Sequence, residues 1–244
     1  MKNYNGFGGK LAPIVLDSFP PEECADITAA ALKHKDHWTD RDWFWTLGAS
    51  AYIDTAEDYA ANAENENDYL LTHFMPAIAK VVQDIGTHVQ KSAGPLENPE
   101  GHGNAALPGF HIVNDKANGR SGMFHVDMPY QRVYWPGPFS HPFTFTTLIA
   151  APAAGAGLWY WDDVDPTEAL RIIEVTRNDS RTSQLTPEEG RQLLTYEVGK
   201  TYIHGGRVPH AIADMGDMEP GEYRITLQGH GAYLIEQDYV ALYF

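Results

Sequence analysis

Tyr223-Arg224-Ile225-Thr226-Leu227-Gln228 alternates two kinds of side chain without a break. On a β-strand successive side chains leave opposite faces, so Tyr223, Ile225 and Leu227 would project one way and Arg224, Thr226 and Gln228 the other. The first face suits a hydrophobic core. The second carries a guanidinium, which is expensive to bury unless a partner fills its planar donor fork, and a carboxylate fits that fork bidentately. Either Arg224 is a surface or salt-bridged arginine, or it lies inside a sheet and awaits a small dicarboxylate.

The same short period extends upstream as far as Leu107. β-rich runs occur at Pro108–Asn114, Met123–Met128, Phe143–Ala150, Gly157–Trp161, Arg171–Thr176, Leu194–His204 and His210–Ala213, punctuated by Gly, Pro, Asn and Asp. Before that point the chain reads as helical. Pro20-Pro21 suit a helix start for Glu22 to about Lys35, and from Asn67 to about Val89 the residues Leu70, Phe74, Ile78, Val81, Val82, Ile85 and Val89 fall on one stripe. Thr186-Pro187-Glu188-Glu189 resembles a capping box opening one helical turn. The expected fold is mainly β with N-terminal helices, an antiparallel sandwich or barrel of jelly-roll type with helices on one face. With 244 residues the chain fits one domain, helical over about 1–105 and jelly-roll over about 106–244.

Composition narrows the partners. Thirty-three acidic against 17 basic residues give a formal charge of −16, and the bases are scattered, which argues against nucleic acid and against an anionic membrane surface. Cys24 is the sole cysteine, so an intrachain disulfide and the Cys-rich zinc modules are excluded. No run approaches the ~20 apolar residues of a membrane helix, and a cytoplasmic location is expected.

His125-Val126-Asp127 is the first candidate site, although 11 His and 33 acids produce roughly one or two His-x-acid triplets by chance. His34-Lys35-Asp36 has the same spelling. Geometry separates them: positions two apart share a face on a strand but diverge by about 200° on a helix. His125 and Asp127 can therefore converge on a cation, while His34 and Asp36 read as a solvated helix face. His210 follows the tight turn Gly205-Gly206-Arg207-Val208-Pro209 and is the best third ligand, with His204 its rival and a hydrogen-bonded core histidine the plainer alternative. Two imidazoles and one carboxylate leave open positions on an octahedral ion, the facial arrangement of non-haem Fe(II) sites.

Taken with Arg224, fourteen residues beyond His210, and Thr226, this set resembles the Fe(II)/2-oxoglutarate-dependent oxygenase superfamily, with its H-x-D, distal His and Arg-x-Ser/Thr pattern. The resemblance implies a double-stranded β-helix (cupin-like jelly roll) from about Leu107 onward. It also implies Fe(II) on His125, Asp127 and His210, and 2-oxoglutarate chelating that iron with its far carboxylate on Arg224, assisted by Thr226. Thr46-Leu47-Gly48-Ala49-Ser50-Ala51-Tyr52-Ile53-Asp54 and Leu107-Pro108-Gly109-Phe110-His111-Ile112 are similar to stretches of the radical halogenases of free amino acids and their hydroxylase relatives. The halogenases have Gly where this chain has Asp127, so the resemblance points to the hydroxylating branch, with dioxygen and a small-molecule substrate as partners.

Substrate contacts are expected from His111, Asn114, Trp135 and Trp159, although core packing competes for each. Other readings keep the oxygenase chemistry on an alkaloid, nucleoside or carrier-bound substrate, or place zinc or manganese in a cupin-like isomerase. A jelly-roll binding module without catalysis is a further one.

Overall fold

The structure is a computed structural model that describes residues 13–103, 105–118, 122, 124–161, 164–165, 167–169, 189–213 and 216–244. In chain order the elements are β1 (Ile14–Asp17), α1 (Pro21–Lys33), β2 (Thr39–Asp40), β3 (Trp45–Leu47), α2 (Ala56–Val89), β4 (Ser92–Pro95), β5 (Gly109–Val113), β6 (Phe139–Ala150), β7 (Gly157–Tyr160), β8 (Gln192–Thr195), β9 (Lys200–Gly205), β10 (His210–Ile212), β11 (Arg224–Leu234) and β12 (Tyr239–Tyr243). Among the described residues they form a major sheet in the order β1-β9-β6-β11-β5-β3-β2 and a minor sheet β10-β7-β8. β11 is the spine of the major sheet. One edge pairs along its length with β6, while the other pairs first with β5 and then with β12, which carries β4 as a parallel neighbour.

The major sheet divides its side chains by chemistry. Phe110, Ile112, Phe143, Phe145, Ile203, Ile225, Leu227, Val240 and Leu242 lie on the outer face and bury against Leu70, Phe74, Ile78, Val81 and Ile85 of α2. Each such apolar side chain contributes about 1.5–3 kcal/mol on leaving water. On the inner face Leu148 and Tyr202 pack with Leu158 and Leu194 of the minor sheet, so the two sheets are stacked. Between that cluster and a second apolar patch at Leu234, Ala241 and Tyr243, the inner face is polar, carrying His111, Thr144, Thr146, Thr226, Gln228 and His230. Leu70, Phe74, Ile78, Val81 and Ile85 recur every three or four residues, as an amphipathic helix requires. α2 starts eleven residues before the expected Asn67; over residues 58–66 it buries only Tyr59 and Ala63, too few for an apolar period to show in the sequence. Asn67 instead clamps the entry to β5, giving its amide to Ala105 O at 2.9 Å and accepting from Leu107 N at 2.8 Å.

Four corrections concern strands. β1 to β4 lie within the part read as helical, and are too short, at two to four residues, for a period to show. Leu194–His204 is two strands in different sheets, separated at Gly199, whose φ of +87° favours glycine. A Cβ there would stand 2.1 Å from Phe19 O, so Gly199→Ala is expected to destabilise the fold by about 1–3 kcal/mol, read in a thermal melt. β11 runs six residues past Gln228; Gly229 and Gly231 interrupt the alternation there, so the sequence period stops before the strand does. A Cβ at Gly231 would meet the Phe143 ring at 2.4 Å.

Met123–Met128 forms no ladder among its described residues, only the bridge His125↔His210. Val208, which would continue the pairing opposite Asp127, spends its N–H on Gly205 O at 3.0 Å, and Asp127 N turns to Gly206 O at 3.0 Å. Arg171–Thr176 and Thr186–Glu188 lie outside the described residues.

Candidate metal centre

His210 opens β10, and its backbone exchanges both hydrogen bonds with His125, at 2.9 and 2.8 Å. That bridge carries the two imidazoles to a centroid distance of 4.2 Å. Asp127 completes the group: Oδ1 is 3.6 Å from His125 Nε2 and Oδ2 is 3.3 Å from His210 Nε2. Among the described residues this is the single group of three potential ligands, with donor atoms all within 4.8 Å of one another. His34 and Asp36 form none; α1 ends at Lys33, and the His34 ring rests 4.4 Å from that of His73.

Each buried ligand is oriented from behind. His210 Nδ1 donates to Val208 O at 2.8 Å, which fixes a proton on Nδ1 and leaves Nε2 facing Asp127 as the nitrogen a metal would take. The slip in the ladder at Val208 thus has a chemical consequence, because the carbonyl it frees is the one that holds His210. Thr144 Oγ1 donates to Asp127 Oδ2 at 2.7 Å. Burial alone would raise the Asp127 pKa, but the His210 imidazole beside it holds the carboxyl well below the usual range. His125 is the exposed member, with 42% of its side chain open to solvent. His204, the rival, lies with its ring 4.7 Å from that of His210, yet its Nδ1 is turned to Gly205 O at 3.1 Å and it is outside the ligand group.

Arg224, Thr226, Gln228 and His230 alternate along β11 on the inner face. Arg224 is 2% exposed, Tyr196 lies under its guanidinium at 6.0 Å, and Nε has no hydrogen-bond partner among the described residues. No described carboxylate forms an ion pair with it, and burial works against its charge. A guanidinium at such depth without a described carboxylate is poorly tolerated in a core that serves only packing. Thr226 Oγ1 donates to Gln228 Oε1 at 2.9 Å, Gln228 Nε2 to the Tyr52 hydroxyl at 3.4 Å, and that hydroxyl meets His111 Nε2 at 2.5 Å.

The expected substrate residues separate. His111 stands on the inner face opposite Thr226, and burial followed by the charge of Arg224 pushes its pKa down to about 3. The Asp127 charge acts on it in the opposite direction. Asn114 is used locally, its Oδ1 capping a 3₁₀ turn through Lys116 N at 3.0 Å. Trp135 stacks on Phe139 at 4.2 Å and donates to Tyr130 O at 2.9 Å within a separate apolar cluster. Trp159 pairs with Ala211, whereas His210 pairs with Tyr160, so Trp159 occupies the face of the minor sheet turned away from His210. Asn114, Trp135 and Trp159 are thus not gathered at the centre. Thr144, His230 and Tyr52 are, though the sequence reading did not single them out. For Thr144 a signal existed in the alternation Phe143-Thr144-Phe145-Thr146, which puts both threonines on the polar face.

No protein-family model matches the sequence, and no curated protein sequence does either. The fold has clear counterparts among solved structures. Those of an N-substituted L-amino acid dioxygenase from Burkholderia ambifaria AMMD, one of them in complex with α-ketoglutarate, superpose with TM-scores of 0.60 and 0.61. They cover 95% and 96% of this chain and 86% and 87% of the other, at 16% and 15% identity. HygX from Streptomyces hygroscopicus, with nickel and 2-oxoglutarate bound, superposes with a TM-score of 0.52 over 91% of this chain and 82% of its own, at 10% identity. The architecture is therefore a jelly roll, the fold shared with these dioxygenase and 2-oxoglutarate-bound structures.

Proposed function

We propose that this chain is a non-haem iron, 2-oxoglutarate-dependent hydroxylase acting on an unactivated C–H bond of a small metabolite, and within that class on a free amino acid. The observation that carries the reading is Arg224. It is a buried guanidinium without a described carboxylate, on the same sheet face as the residues that support a two-histidine, one-carboxylate group.

The residues fit both groups. His125, Asp127 and His210 would hold Fe(II) and leave positions open, as the chemistry of a facial triad needs. Arg224 would receive the far carboxylate of 2-oxoglutarate, with Thr226 beside it. When bound, the iron and the oxo acid supply the oxidising power, consuming dioxygen and releasing succinate and carbon dioxide. The protein's own part is placement. Val208 O and Thr144 Oγ1 orient two of the ligands, and the minor sheet packs on the inner face at Leu148 and Tyr202. Asp127 brings a negative charge to the centre, which disfavours a halide there and favours hydroxylation. His111 is the expected substrate contact retained on this face. The amino acid substrate is supported by the resemblance around Thr46–Asp54 and by the fold shared with an N-substituted L-amino acid dioxygenase.

Anaerobic titration of the Fe(II)-loaded protein with 2-oxoglutarate tests the first half of the proposal. Direct chelation is expected to give a weak visible charge-transfer band, and its absence at saturation would exclude the assignment. Admitting oxygen with a panel of free amino acids should then release succinate in step with one hydroxylated product. Succinate release matched instead by a nucleoside or alkaloid would move the substrate and leave the chemistry.

A further inference from the structure

Behind Asp127 lies a hydrogen-bond chain whose direction can be worked out atom by atom. The Thr144 hydroxyl has one proton, and it is given to Asp127 Oδ2 at 2.7 Å. Thr144 Oγ1 is also 3.1 Å from His230 Nδ1, so at that contact the oxygen must accept and the imidazole must donate. The order is therefore His230 Nδ1–H to Thr144 Oγ1–H to Asp127 Oδ2. Thr144 and His230 are register partners on β6 and β11, so the chain crosses from the middle of the sheet to the centre.

His230 is 3% exposed, and its other nitrogen, Nε2, has no hydrogen-bond partner among the described residues. A histidine kept for packing alone would waste this acceptor, because phenylalanine fills similar space with nothing left unsatisfied. Tyr52 and Tyr243 flank the ring at 5.6 and 5.7 Å, so the surroundings already suit an aromatic hydrocarbon. What phenylalanine could not do is donate to Thr144.

We propose that Thr144 and His230 are positioning residues that hold Asp127 with Oδ2 hydrogen-bonded and Oδ1 free for the cation, His230 acting only through Thr144. The inference rests on Asp127 being a metal ligand, as proposed above, but not on 2-oxoglutarate or any substrate. Outer partners of this kind typically change metal affinity by about 10–100-fold.

Co(II) alone is the probe, added to the full-length metal-free protein and followed by its visible absorption. Thr144→Val, nearly isosteric, and His230→Phe are each expected to weaken Co(II) by about 10–100-fold and to alter the band shape. The double variant should be no weaker than Thr144→Val, since one chain is broken in both cases. His230→Asn, whose amide can still donate to Thr144, should recover most of the affinity. Unchanged Co(II) affinity and spectrum in folded Thr144→Val would overturn the proposal, as would additive losses in the double variant. If His230→Phe fails to fold, Thr144→Val and His230→Asn still decide. Wild-type protein that takes up no Co(II) would overturn the metal centre itself. Normal Co(II) behaviour without 2-oxoglutarate turnover would overturn only the cosubstrate assignment.

Discussion

Asp127→Ala is expected to lose Fe(II) binding by more than about a hundredfold and to bring 2-oxoglutarate turnover to background. Three donor atoms within 4.8 Å define the centre, and Asp127 is the only one of the three residues with a negative charge. It is also the member that faces both imidazoles, at 3.6 and 3.3 Å. Removing it leaves two neutral ligands, one of them partly open to solvent, and the direct loss should exceed the 10–100-fold typical of outer partners. The Thr144 hydroxyl loses its acceptor at the same time, so the metal-free variant should also melt lower, by about 1–3 kcal/mol for a buried polar group left unmatched. Metal analysis of the dialysed protein and an oxygen-uptake assay are the measurements. Stoichiometric iron retained at wild-type affinity would remove Asp127 from the centre.

The parts of this site that were legible in the sequence are those with a period or a spacing. Arg224, Thr226 and Gln228 could be assigned to one face because the strand alternates strictly, and His125 with Asp127 because they are two apart in an extended segment. Their meeting with His210 is visible in the structure as a single backbone bridge, which no local pattern encodes. Long-range partners of that kind were the ones missed. Tyr52 reaches Gln228 and His111 from a loop 176 and 59 residues away in sequence, and His230 meets Thr144 at a separation of 86. His230 was hidden further by its flanking glycines, which ended the alternation just where the strand continued. The tryptophans failed for the opposite reason. A large aromatic near the site is a good guess for a pocket wall, but Trp159 is one residue out of phase with the face of His210, and Trp135 has its indole N–H satisfied in another cluster.

Arg224→Met should produce a protein that is more stable without ligands and unable to use 2-oxoglutarate at ordinary concentrations. Met matches the length and much of the volume of the arginine stem, and the side chain it replaces is 2% exposed with no described carboxylate. Exchanging a buried charged group for a hydrophobic one of similar volume is often stabilising by about 1–4 kcal/mol. In a chain of this length each kcal/mol corresponds to about 2–4 °C in melting temperature. In the other direction, two charged hydrogen bonds to a carboxylate contribute roughly 1.5–3 kcal/mol each, so the KM for 2-oxoglutarate should rise by more than about a hundredfold. Arg224→Lys should fall between, because it keeps the charge and loses the fork. The opposed signs make the test discriminating: an arginine kept for architecture would destabilise the ligand-free fold when replaced and leave KM unmoved. A melting temperature measured on metal-free protein, set beside a 2-oxoglutarate titration of the iron form, distinguishes the two. If the stability gain and the KM rise appear together, the cost of burying that charge is carried by the ligand-free protein and recovered when a dicarboxylate binds. That would make Arg224 a residue selected for binding against the interest of the fold.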